Sequence, residues 1–316
     1  MSKDNIIWRY AMEQLREGFY PDFPMESYVA DPCVDPSLSK GIMHKLLTQT
    51  PAHARQAHPR LNPDREDDNS GRADIGSAVH SMILGGAEVQ YEVFPDFKTK
   101  AAREWRDGVY NDGGIPILEK NRAAVENGAG PARAKLATLP GWDGKVETEG
   151  TMIWQDGGAW KRGRFDMWAP GPNKMIDVKT TTAENPGDWI RKTMVQGGYD
   201  LQAEHYLQGL RANGKGNEHT EFLFLLVEIA PPYCCAFVGL DPAYSDAAKR
   251  KCAMATRTWT RCMKSGQWPG YTDMIHYAEW KPWQDMELAE QLLIETERQK
   301  AEAAPERVPT GMWGQG

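Results

Sequence analysis

Long apolar runs are missing from this 316-residue chain. No stretch approaches the roughly 18 apolar residues that a membrane-spanning helix needs, which excludes a helical membrane protein. The start, Met1-Ser2-Lys3-Asp4-Asn5, has neither the charged nor the apolar region of a signal peptide, so the chain is expected to stay in the cytoplasm. Cysteine is scarce: Cys33, Cys234, Cys235, Cys252 and Cys262 form an odd set with no Cys-x-x-Cys pair. That pattern excludes a disulfide framework and a zinc ribbon. Positive charge is also short, with 37 Lys and Arg against 44 Asp and Glu and a net charge of −7. A surface that grips a polyanion everywhere is therefore excluded, although local field, not the sum, decides binding. Two basic clusters exist, Lys161, Arg162 and Arg164, and Lys98, Lys100, Arg103 and Arg106.

What is present is an ordinary globular composition, 41% hydrophobic, in a chain long enough for one large α/β domain or two smaller ones. Its organising stretch runs from Lys161 to Thr181. Phe165 and Met167 flank Asp166, Gly171-Pro172-Asn173 supplies a turn, and Lys174 to Thr180 returns as a second strand with Met175, Ile176 and Val178 as its apolar residues. Asp177 and Lys179, two apart, project from one face of that strand. A hairpin that brings Asp166, Asp177 and Lys179 together makes an oxygen-rich pocket for a hard divalent cation such as Mg²⁺, with an amine to orient or deprotonate a water.

Further motifs lie on either side. Downstream, Tyr199-Asp200-Leu201-Gln202-Ala203-Glu204-His205-Tyr206 has helical spacing and puts Gln202 and Tyr206 on one face. Upstream, Gly76-Ser77-Ala78-Val79-His80 lies in an expected helix. Together these resemble the RecB-like branch of the PD-(D/E)xK nucleases. Ser37 to Leu47, Thr50-Pro51-Ala52-His53 and Ile75 to Leu84, taken with Asp177-Val178-Lys179-Thr180-Thr181, resemble more narrowly the RecE-type exonuclease VIII family of phages and prophages.

The resemblance implies a mixed central sheet flanked by helices, with an N-terminal helical part. It also implies a Mg²⁺-dependent exodeoxyribonuclease, with Mn²⁺ as a substitute, that digests linear duplex DNA 5′ to 3′ and leaves a 3′ strand for annealing. Its alternatives are a DNA-binding recombination accessory protein and an endonuclease of the same superfamily. It implies metal ligation by His80, Asp166, Asp177 and the Val178 carbonyl, and water activation by Lys179. Gln202 and Tyr206 would position Lys179 or the DNA backbone. Arg162, Arg164, Thr180 and Thr181 would contact phosphates. Glu149 matches an acid the family carries ahead of its first aspartate, and Glu147 shares its strand face, so the two remain alternatives. The implied partners are DNA ends, a single-strand annealing protein and further copies of the chain in a ring, in the cytoplasm of a bacterial host. The tight late cysteines of the iron–sulfur members are missing here.

Residues 1–36 are expected as an N-terminal extension with a helix over Asn5 to Glu17, 37–280 as the nuclease domain, and 281–316 as a helix and tail suited to a subunit contact. Within the domain, the pattern predicts a surface loop from His58 to Arg72, a strand over Tyr91 to Phe94 and a basic helix over Thr99 to Gly108. A helix over Ile115 to Leu136, broken at Gly128 to Pro131, should follow. Strands are expected from Lys145 to Trp154, over Glu221 to Glu228, buried on both faces, and over Tyr233 to Leu240, with a last helix from Asp241 to Gly266.

Overall fold

The computed structural model describes residues 14–21, 23–65, 75–182 and 185–303. It divides into a unit spanning Met1–Tyr271 and a smaller one spanning Thr272–Gly316.

The larger unit is built on one six-stranded sheet in the order β1-β4-β5-β6-β7-β8. β1 (Gly18–Tyr20) lies antiparallel to β4 (Glu147–Asp156), so the N-terminal stretch supplies an edge of the sheet. β4 turns into β5 (Ala159–Ala169) through Gly157 and Gly158, at φ 59° and 74°. Positive φ at both turn residues matches the twist of the flanking strands, which is why two glycines stand there. β5 pairs antiparallel with β6 (Lys174–Thr181), and β6 pairs parallel with β7 (Glu221–Glu228). A parallel neighbour requires a crossover, supplied by the helix Tyr199–Ala212. β8 (Cys235–Gly239) closes the edge. A separate parallel pair joins β2 (Val89–Glu92) to β3 (Ile115–Leu118).

Both faces of the sheet are covered. On one, the helices Ile75–Leu84 and Arg122–Leu136 pack Val79, Val125 and Ala129 against Met167, Ile176, Val178, Leu225 and Val227. On the other, Ala203, Tyr206 and Leu210 of the crossover helix meet Met152, Trp154, Met175, Phe224 and Leu226. Alternate residues of β7 thus serve opposite cores, which accounts for its unbroken apolar sequence. The helices Lys40–Thr48 and Pro242–Ser265 form a third cluster around Leu201, Cys252 and Trp259.

Three expectations need correction. The segment from Ile115 begins as strand β3, and its helix starts at Arg122 and continues through Gly128 and Pro131. Close packing overrides the breaker signal, because a Cβ on Gly128 would stand 3.3 Å from Val79 and 3.5 Å from Val227. The helix expected from Asn5 lies outside the described residues up to 13, and Gln14 to Glu17 are not helical, Leu15 instead bridging to Cys33. His58, placed at the start of a surface loop, is fully buried with its Nε2 3.2 Å from Asp31. Residues 66–72 of that loop lie outside the described residues.

In the smaller unit a helix spans Pro282–Ala303, with Leu292, Leu293 and Ile294 exposed. Among the described residues no helix is long and apolar enough to cross a membrane.

Gly150 tests the packing of β4 on β5, since a Cβ there would lie 2.5 Å from the Phe165 ring and 2.8 Å from Phe19. Phe165 is buried and cannot swing away. Gly150→Ala is expected to cost about 1–3 kcal/mol by overpacking, read as a lower urea midpoint at unchanged slope. A midpoint equal to the parent's would refute it.

Candidate active site

The hairpin β5–β6 keeps its ladder from Ala169↔Lys174 to Met167↔Ile176. One residue further, the strand-to-strand bonds give way to a side chain: the Asp166 carboxylate accepts the Val178 amide at 2.8 Å. Alternation also slips in β5 here, since Phe165 and Trp168, three apart, pack in the same core. On the neighbouring strand Glu149 adopts φ 54°. That is the left-handed region, which costs a non-glycine residue energy and clusters at functional sites. Its consequence is that Glu147 and Glu149, expected on one face, part company. Glu147 pairs with Lys215 at 2.7 Å, whereas Glu149 turns to His80.

His80, Glu149 and Asp166 offer donor atoms that all lie within 4.8 Å of one another. His80 Nε2 stands 2.9 Å from Asp166 and its Nδ1 3.5 Å from Glu149. Burial opposes a charge on the imidazole, but the pull of Asp166, by charge and hydrogen bond, with Glu149 and Asp177 behind it, raises its pKa. The Arg164 guanidinium grips the far oxygen of Glu149 at 2.7 and 2.9 Å. One imidazole and two carboxylates suit a hard divalent ion such as Mg²⁺ or Mn²⁺. The cation of Arg164 offsets the acids as they stand, and the raised pKa of His80 favours a proton there as well.

Beside this trio sits a second group. Asp177, only 3% exposed, faces Lys179 Nζ at 2.5 Å and accepts the Gln202 amide. Burial, with the Asp166 charge adding, pushes Asp177 up to about 6 against the opposing pull of Lys179. Asp166 is only half-buried; desolvation opposes its charge, yet the charge and hydrogen bond of His80, then Lys179 and the Val178 amide, hold it low. Burial disfavours the Lys179 cation, but Asp177 and Asp166 outweigh it and raise its pKa. The two aspartates are thus driven to opposite sides of their ordinary value, a pattern typical of sites with divided roles. His80 and Glu149 of the trio, with Arg164, Lys179, Thr180 and Tyr199, line one cavity of about 710 Å³.

Several expected residues stand elsewhere. Arg162 is a correction: it is 3% exposed, hydrogen-bonded to Ser37 and 3.2 Å from Asp31, so it cannot meet a phosphate. Burial of the β5 strand under the N-terminal stretch is the reason. Tyr206 does not reach Lys179; its ring packs over Gly163, and the Arg164 amide bonds its phenol. Tyr199 takes that place, its ring 4.6 Å from Lys179 Nζ and 5.0 Å from Lys40 Nζ. Val178 contributes its amide to Asp166, and Asp177 lies outside the trio. Thr181 lines another cavity with Asn185 and Glu228.

Lys40 went unnoticed in sequence because a lysine after the helix cap Ser39 reads as solvated surface. It is lowered to about 8, mainly by burial and then by Lys179. Its Nζ donates to the Gly197 carbonyl at 2.6 Å.

If the trio holds a cation, Asp166→Asn and Glu149→Gln should each weaken Mn²⁺ binding by more than about tenfold, measured by calorimetry. The ion must also displace the His80 proton. Because that pKa is raised, binding below it should release a proton, and affinity should fall as pH is lowered through it. Binding unaffected by either substitution and independent of pH would sink the trio as a metal site.

No curated protein matches the sequence. A provisionally named exonuclease from Eubacterium rectale shares the fold, with a TM-score of 0.50 and 14% identity over 78% of this chain and 91% of that one. More distant matches are a phage-related exonuclease from Haemophilus somnus 129PT (TM-score 0.26, 12% identity, 60% and 95% covered) and an alkaline exonuclease from Laribacter hongkongensis (0.26, 14%, 63% and 95%). A family model described as a PDDEXK-like domain of unknown function (DUF3799) matches residues 42–281, and the chain belongs to that family.

Proposed function

We propose that the protein is a divalent-metal-dependent exodeoxyribonuclease acting on linear duplex DNA. The observation that carries this reading is the clustering of His80, Glu149 and Asp166, two of which share an open cavity with Lys179, a lysine held by a buried aspartate. The sequence resemblance to RecE-type enzymes supports 5′-to-3′ digestion that leaves a 3′ strand for an annealing protein, and a ring of subunits threaded by DNA.

His80, Glu149 and Asp166 would hold the first cation, Mg²⁺ or Mn²⁺, with Asp177 and the Val178 carbonyl as further oxygen ligands. Such an ion supplies polarisation of the scissile phosphate and a water acidic enough to attack at neutral pH. The chain does the rest. Lys179, kept protonated beside Asp177 and Asp166, presents an ammonium to the phosphate oxygens and orients the attacking water. Gln202 fixes the Asp177 carboxylate, and Asp177 in turn fixes Lys179. The Tyr199 ring braces the same ammonium. Arg164 holds Glu149 in its strained conformation, and Thr180 lines the path for a neighbouring phosphate.

The test is digestion of end-labelled linear duplex with and without Mg²⁺. Label should be released only with the ion, and covalently closed circles should survive. Lys179→Ala and Asp177→Ala should each lower the rate by about 10²–10⁴, with unchanged thermal melts. Cutting of closed circles would favour the endonuclease alternative. DNA binding without cleavage would favour an accessory protein.

A further inference from the structure

Next to the metal cavity lies a second one that the reaction above does not use. It encloses about 320 Å³ and is lined by Ile75, Gly76, Phe97, Pro116, Ile117 and Thr180, among others. Gly76 and Thr180 line both cavities, so the two join into one groove. Gly76 and His80 are four residues apart on one helix, which places them on one face about 6 Å apart along the axis. On β6, Thr180 follows Lys179 directly. The second cavity therefore begins within about one helical turn of the metal trio.

Its character is unlike that of the first. The walls are largely apolar, and Phe97 is an aromatic ring held in place. Trp105 lies nearly parallel to it, at 13° and 6.3 Å between centroids, and the Arg106 guanidinium lies 5.9 Å from its centroid. Around it, Lys98 and Lys100 are 88% and 86% exposed, and Arg103 is exposed as well. Lys98 and Lys100 sit 3.6 Å from Asp96 and Glu104. Exposed pairs of this kind are worth little and exchange readily for phosphate. An apolar slot with an aromatic side chain, next in sequence to exposed basic residues and adjoining the proposed phosphate-cleaving centre, fits a nucleobase. Stacking serves any base, because each has a π-face, as a processive enzyme requires.

We propose that the Phe97 cavity is a base-stacking subsite, receiving the base of the nucleotide beside the scissile phosphate. This rests on the nuclease reading and adds to it the residue that grips the substrate. The subsite fixes strand position without reading sequence, and the exposed lysines Lys98 and Lys100 follow the backbone, while Arg106 is held by Asp107 at 2.6 Å.

The test uses the full chain, Mg²⁺ and end-labelled linear duplexes, each with one abasic nucleotide at a defined position. The parent should pause where the abasic nucleotide enters the subsite, on one side of the cleaved bond. Phe97→Leu keeps an apolar side chain and the fold but removes the π-face. It should raise KM about tenfold, the loss of one stack, leave kcat within about twofold, and abolish the pause. Phe97→Trp should restore both. A pause of equal strength in Phe97→Leu, or an unchanged KM, overturns the subsite while leaving the nuclease intact. A parent that cuts no DNA overturns the nuclease reading and the subsite with it.

Discussion

The candidate site depends on one exchange of partners, in which the Asp166 carboxylate takes the Val178 amide where a strand-to-strand bond would otherwise continue. A backbone amide left without a partner in this buried setting would be costly. The carboxylate satisfies it and so turns a place where two strands part into a stable opening. Through that opening His80 enters from one side of the sheet, and Asp177 meets Gln202 from the crossover helix on the other. The hydrophobic cores on both faces then hold the opening at fixed width, since neither helix layer can shift without disturbing Val178 or Phe224.

The electrostatics follow from that geometry. Two neighbouring carboxylates on adjacent strands, Asp177 buried and Asp166 half-buried, disfavour each other's charge, and the asymmetry of their neighbours decides which one is favoured. Asp166 has an imidazole and an amide. Asp177 has the deeper burial cost and the Asp166 charge to contend with, and Lys179 only partly offsets them. Lys179 is held protonated by both acids. The site is charged, buried at Asp177 and open to a ligand at His80 and Glu149.

Much of this was legible in the sequence, for identifiable reasons. The β5–β6 hairpin and the doubly buried β7 announce themselves through period-two alternation and turn chemistry, which are local. Asp177 and Lys179 share a face because strand geometry leaves no other choice. Arg162 and Arg164 look alike in sequence, two apart on one strand. Only the packing of the N-terminal stretch, with Asp31 and Ser37, decides that one is entombed and the other bonded to Glu149. Lys40 and Tyr199 come from segments 159 positions apart and meet only in three dimensions. Glu147 and Glu149 were inseparable because a left-handed residue inside a strand leaves no mark on the alternation. Pro131 shows the converse, a strong local signal overruled by close approach of two helices at Gly128.

The conformation of Glu149 sets two demands in opposition. Glycine would adopt φ 54° without penalty, so the backbone alone favours losing the side chain. Glycine, however, would deprive His80 and Arg164 of the carboxylate they share. A more robust fold and a working centre are therefore rival solutions at this one residue. A glutamate in place of the easier glycine therefore carries a backbone cost that only its contacts to His80 and Arg164 offset.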